Sequence, residues 1–154
     1  MIAWKHLRRT VISERVMILK LAGKDLIVMG AGIAGILAAI AAPRRGLDVL
    51  LVERNGSVGD LSTAGLCSPF IRFWLGNESF VSRIFKEVLY GLHRRGGLLR
   101  DSFDLEILKM IYLEKLKKAG VVLSFRSIPV KLISAGGFMK QISLLVPSVN
   151  LRSK

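Results

Sequence analysis

Three glycines and one acid stand at spacings that could hold a dinucleotide. Gly30, Gly32 and Gly35 fall in the run Gly30-Ala31-Gly32-Ile33-Ala34-Gly35, and Glu53 follows Gly35 by eighteen residues. Gly30 permits a tight turn, Gly32 leaves room for a pyrophosphate to approach the backbone, and Gly35 allows close packing of a helix on a strand. The pyrophosphate would then rest on free amides at the positive end of that helix. A carboxylate at the spacing of Glu53 accepts hydrogen bonds from an adenosine ribose. Its charge disfavours a 2′-phosphate, so NAD or FAD is expected ahead of NADP.

The elements needed to position these groups can be read around them. Residues 25–29 (DLIVM) read as a short buried strand, the alanine-rich run from Ile33 as a helix, and residues 48–52 as a second strand ending at Glu53. Pro43 is expected to end or kink the helix, and Gly46 to supply the turn back. This is the strand, phosphate loop, helix and strand of a Rossmann-like βαβ unit, and the fold class expected is α/β with a parallel sheet. A competing reading takes residues 26–42 as a membrane span, since seventeen residues pass without a charge between flanking bases. That length is at the short limit for a span, and the account gives no role to the strand ending in Glu53.

At 154 residues the chain can form one domain and bury roughly 70% of its unfolded surface. Hydrophobic residues make up 51% of it, which excludes a disordered chain. The single cysteine, Cys67, allows no internal disulfide and fits a reducing, cytoplasmic setting. It has no nearby metal-ligand or dithiol partner in sequence, and no metal site is expected. The N-terminus lacks the continuous apolar core of a secretory signal.

The net charge of +13 is high for a nucleotide-binding domain. Residues 1–24 carry six Lys or Arg against Glu14, and residues 115–154 carry eight against no acid. Such ends could meet nucleic acid or anionic lipid. The bases are scattered, with no accompanying nucleic-acid motif, so a solvated face or a face meeting other protein is the expectation.

Residues 1–24 read as a variable basic lead-in covering part of the core, residues 25–146 as the dinucleotide-binding domain, and 147–154 as a tail. Residues 55–73, rich in Gly, Ser, Thr and Pro, form a long loop beside the phosphate site, where ligands of parallel sheets gather. A helix is expected over 79–92 with His93 at its end, and another over 104–118, its acids at the N-terminus and lysines at the C-terminus. His93 reads as a cap or a solvent-facing residue, and His6 lies in the lead-in. Strands are expected over 121–125 and 130–133, and a returning hairpin strand over 138–146.

The segments DLIVMGAGIAGILAAIAA, VLLVERNGSVGDLSTAGLCSPF and FDLEILKMIYLEKLKKAGVVLSF together resemble the N-terminal part of FAD-dependent oxidoreductases with the glutathione-reductase type of fold, over about residues 25–133. The resemblance implies FAD as cofactor. It places Gly30, Ala31, Gly32, Ile33, Ala34 and Gly35 around the pyrophosphate, Glu53 on the ribose and Arg54 at the adenine end. It also implies that Gly59, Ser62, Thr63, Ala64 and Gly65 line the path to the flavin, with a backbone contact to adenine near Val130.

Asp60 stands where the family commonly has a second glycine, bringing a negative charge towards the pyrophosphate. Pro129, if it sits at the adenine contact, offers no N–H. Family members continue for hundreds of residues, so the length leads to the expectation of a fragment, a truncated gene product or one subunit of a split enzyme, with a homo-oligomer or a complementary subunit as the expected partner. No catalytic acid, base or dithiol pair can be assigned. Three functional readings follow, with an FAD-binding portion of an oxidoreductase first. A small NAD-binding or regulatory protein and a basic interaction protein are the alternatives.

Overall fold

The structure is a computed structural model that describes residues 8–13, 16–21, 23–69, 74–75, 78–79, 83–99, 102–136 and 138–147. The elements are β1 (Arg8–Ser13), β2 (Val16–Leu21), β3 (Leu26–Met29), α1 (Ile33–Ala41), β4 (Val49–Val52), β5 (Trp74–Leu75), β6 (Glu78–Ser79), α2 (Arg83–Arg94), β7 (Leu98–Leu99), β8 (Ser102–Phe103), α3 (Leu105–Lys118), β9 (Val122–Ser124), β10 (Ile128–Ala135) and β11 (Phe138–Pro147).

β4 is the centre of the molecule. It pairs in parallel with β3 on one side and β9 on the other, giving the order β3-β4-β9, and all four of its residues are buried. Successive strand residues point to opposite faces, so β4 feeds two cores. Val49 and Leu51 join Ile36 and Ile40 of α1, Val88 and Leu92 of α2, and Leu108, Ile111 and Leu116 of α3. Leu50 and Val52 face the other way, against Ile142, Leu144 and Val146 of β11. The sheet is therefore covered on both sides, as a parallel sheet requires. Each of these fully buried aliphatic side chains contributes about 1.5–3 kcal/mol.

The second layer is an antiparallel sheet of order β1-β2-β11-β10. Residues 8–13 and 16–21, from the segment read as a lead-in, pair with each other, and β2 pairs with β11 from Val16 opposite Pro147 to Leu21 opposite Ile142. The hairpin of β10 and β11 is longer than the short strand expected over 130–133, and it includes Pro129. Proline is tolerated there because β10 is the edge of its sheet.

Helix boundaries follow local chemistry. α1 ends at Ala41, and a 3-10 turn over Pro43–Arg45 follows, closed by Gly46 in a left-handed conformation (φ 82°). Asp104 caps α3 by accepting from the amides of Glu106 and Ile107, both at 2.9 Å. α2 is described from Arg83, and Ser79, its expected start, instead pairs as part of β6 with β5. It runs on to Arg94 and so includes His93. Residues 70–73 and 80–82 of the expected loop and helix lie outside the described residues. Among the described residues no helix is long and apolar enough to cross a membrane, and the uncharged run over 26–42 is divided between β3 and α1.

Candidate dinucleotide site

The site is built on the turn from β3 into α1. Gly30 takes φ 93°, a conformation that side-chain-bearing residues rarely adopt, and its amide donates to Val52 O at 2.7 Å. Gly35 is forced by contact instead: a Cβ there would lie 1.9 Å from Gly30 O. Gly32 meets neither constraint, since a Cβ at that position would touch only Asp60 Cβ, at 3.7 Å. The space beside Gly32 is open, and the fold itself gives no reason for glycine there.

No side chain caps α1, and its first backbone bond runs from Ile36 N to Gly32 O. The amides of Ile33, Ala34 and Gly35 precede that bond and are donors at the positive end of the helix. Met29, Gly30, Gly32, Val52, Glu53, Arg54, Asn55, Asp60, Ser127 and Pro129 line an adjoining cleft of about 360 Å³. The residues therefore suit a phosphate-bearing ligand: open donors, a glycine with vacant space beside it, and a carboxylate in the same cleft.

Ala31 ties three segments together. It is fully buried, its N–H donates to Glu53 Oε2 at 2.6 Å, and its carbonyl accepts from Gly59 N at 2.7 Å. Glu53 is itself 4% exposed, and its other oxygen accepts from Asn55 N at 2.6 Å. The carboxylate thus holds the phosphate turn and the end of β4 in one arrangement while remaining in the wall of the cleft.

The loop after β4 is compact rather than loose. Gly59 is left-handed (φ 98°), and residues 60–62 form a 3-10 turn. Ser62 and Thr63 are buried, and their hydroxyls donate inward, to Gly59 O and Val58 O respectively. These bonds hold the loop from within, and neither residue is among those lining the cleft. Ala64 and Gly65 are exposed on the outer side of that turn. Val130 is half exposed on β10, one residue beyond the cleft wall, which Pro129 forms. Asp60 lies at the mouth, exposed, with φ 44°.

Sequence reading did not single out Met29, Val52, Asn55 and Ser127 as cleft residues. Met29, Val52 and Asn55 flank the motif at the carboxyl ends of β3 and β4, and Ser127 follows β9; the rule that ligands gather at strand carboxyl ends was the available signal. Tyr112 of α3 is fully buried beneath this loop, and among the described residues its hydroxyl has no hydrogen-bond partner of normal geometry. Burial pushes it up to about 12, an effect that the proximity of Ser62 opposes only in part.

The fold and the cleft define a dinucleotide-binding domain of the Rossmann type, with the half-sheet order β3-β4-β9. The family model for FAD dependent oxidoreductases matches residues 25–149, and the chain belongs to that family. Among curated proteins it is similar to a digeranylgeranylglycerophospholipid reductase of Methanocella arvoryzae, 35% identical over 105 residues, covering 56% of this chain and 26% of the relative. It is also similar to a probable electron transfer flavoprotein-quinone oxidoreductase, YdiS, of Escherichia coli, 51% identical over 41 residues, covering 27% of this chain and 10% of that one. The chain thus spans about a quarter or less of these relatives' lengths. Among solved structures, THI4 of Thermovibrio ammonificans matches with a TM-score of 0.51 at 20% identity, over 79% of this chain and 47% of that one. The amino acid oxidase NikD matches with a TM-score of 0.56 at 12% identity, over 82% and 50%. At these identities the structural likeness establishes the fold.

Proposed function

We propose that the chain is an FAD-binding portion of an oxidoreductase. The pyrophosphate rests on the amides of Ile33, Ala34 and Gly35 beside Gly32, the ribose meets Glu53, and Arg54 flanks the adenine. The loop carrying Gly59, Ser62, Thr63 and Ala64 shapes the path towards the flavin, and the backbone near Val130 borders the adenine end. The observation that carries this reading is the uncapped N-terminus of α1 opening beside vacant space at Gly32, with Glu53 in the same cleft. Bound FAD would supply hydride chemistry through its isoalloxazine ring, while this chain binds and orients it.

The substrate region is contributed from outside residues 25–149, by further chain, a second copy or a complementary subunit. The lone Cys67 accords with a reducing compartment such as the cytoplasm. The test is an absorbance spectrum of natively purified protein, followed by mass analysis of the small molecule released on denaturation. Recovered FAD supports the reading, and NAD recovered with no flavin replaces it with a nicotinamide-binding protein. Failure to retain or bind either nucleotide refutes it.

A further inference from the structure

A second and larger groove, of about 670 Å³, lies at the opposite end of α1. Its walls come from the turn after α1 (Arg44), the first turns of α2 (Arg83 and Glu87) and the last turn of α3 (Lys115 and Lys118), with Ile40 among its apolar lining. The nine residues of α1, at about 1.5 Å each, separate it from the dinucleotide cleft, and the two share no lining residue.

Four cations here surround one carboxylate. Glu87 accepts from Arg44 Nη2 through both oxygens, at 3.0 and 2.9 Å, and from Lys115 Nζ at 3.0 Å. These bonds hold its carboxyl down at about 2, first through Arg44 and then through Lys115. They also fix Arg44 and Lys115 on the rim. Arg83 and Lys118 form no ion pair among the described residues, so the groove keeps an excess of positive charge.

Lysines at the end of α3 are ordinary complements to its negative terminus. Arg83 has no such complement: it is the first described residue of α2, where the helix dipole disfavours a cation, and the acid one turn on, Glu87, is already engaged by Arg44 and Lys115. Arg83 thus adds to three further cations beside apolar walls that focus their field, so the groove is a place where an anion is attracted.

We infer that this groove binds a phosphate group, carried by a small phosphorylated molecule or by an anionic lipid headgroup, with Arg83 and Lys118 as its free ligands and Arg44 and Lys115 held ready by Glu87. The inference does not depend on which nucleotide occupies the other cleft.

The test uses the full chain, titrated calorimetrically with inorganic pyrophosphate, and sedimented with phosphatidylcholine vesicles with and without phosphatidic acid. Pyrophosphate binding is expected to survive Gly32→Val, which obstructs the dinucleotide cleft, and, in that background throughout, to weaken about tenfold for each of Arg83→Ala and Lys118→Ala. Both residues are exposed, so these variants keep the fold, as circular dichroism would verify. Binding of the free anion that is lost in the double variant assigns a soluble phosphorylated ligand. Capture confined to phosphatidic acid vesicles, and lost in the double variant, assigns a lipid headgroup. Pyrophosphate and vesicle binding unchanged in the double variant, or no binding to either probe, overturns the inference.

Discussion

The carboxylate of Glu53 and the amide of Ala31 lie 2.6 Å apart in a buried hydrogen bond, joining the end of β4 to the phosphate turn. The same carboxylate takes the amide of Asn55, so one side chain satisfies two backbone donors. Glu53→Ala leaves both without their acceptor and is expected to cost about 2–4 kcal/mol of stability, with weaker FAD binding as a consequence. Glu53→Gln retains an acceptor and should cost less. Urea denaturation of the three proteins checks this, and wild-type stability in Glu53→Ala would show that the two bonds are not structural supports.

The glycines of the motif divide into two demanded by the fold, Gly30 by its backbone and Gly35 by contact, and one, Gly32, that the fold leaves free. A Cβ at Gly35 meets Gly30 O at 1.9 Å, whereas one at Gly32 meets only Asp60 Cβ at 3.7 Å. Gly35→Ala should therefore destabilise the chain by about 3 kcal/mol or more, and Gly32→Val should fold with near-normal stability while losing nucleotide. Melting curves and FAD titrations on the two variants separate these effects. Equal losses of stability would mean that Gly32 is also a packing requirement.

Asp60 carries two unfavourable features at the mouth of the cleft, a left-handed backbone and a charge that opposes phosphate. Asp60→Gly relieves both and should stabilise the fold by about 1 kcal/mol and tighten FAD binding by about tenfold. Asp60→Asn removes only the charge and should recover part of the affinity. Fluorescence titration of FAD reads both, and an unchanged affinity in the two variants would place the carboxylate outside the field of the ligand.

Removal of the buried Tyr112 hydroxyl should cost nothing. Because the oxygen has no hydrogen-bond partner among the described residues, Tyr112→Phe is expected to stabilise the chain by about 1 kcal/mol. Chemical denaturation tests it, and a loss of stability would reveal that the hydroxyl bonds to Ser62 or to an internal water.

Glu87 should make stability depend on pH in the acid range. Its folded value of about 2 lies below the ordinary 4.5 of a free glutamate, chiefly because of the bond from Arg44. A depressed carboxylate stabilises the fold above its unfolded value, and that contribution is lost as pH falls from 4.5 through 2. The side chain is 34% exposed, so screening limits the contribution to about 1 kcal/mol. The stability difference between wild type and Glu87→Gln should shrink as the pH falls from about 7 to about 3. A difference that stays constant would exclude this titration as its source.

Gly30, Gly32, Gly35 and Glu53 were legible because their constraints are local. A tight turn, an open helix start and an acid at the end of the next strand are specified within residues 25–54, and the parallel βαβ unit follows from the same stretch. The two-faced burial of Val49 to Val52 could be read as an apolar run, but not the assignment of Leu50 and Val52 to a layer built from β11. That assignment depends on strands roughly ninety residues away, which no local pattern encodes. The placement of Asp60 against Gly32, of Ser127 and Pro129 in the cleft wall, and of Glu87 between Arg44 and Lys115 belongs to the same class. Sequence alone determined which residues can turn, start a helix or carry charge, because those are properties of single residues and their neighbours. The tertiary structure decided which of them meet, because contacts between distant segments arise only when the four-stranded sheet and helices α1, α2 and α3 close on the faces of β4.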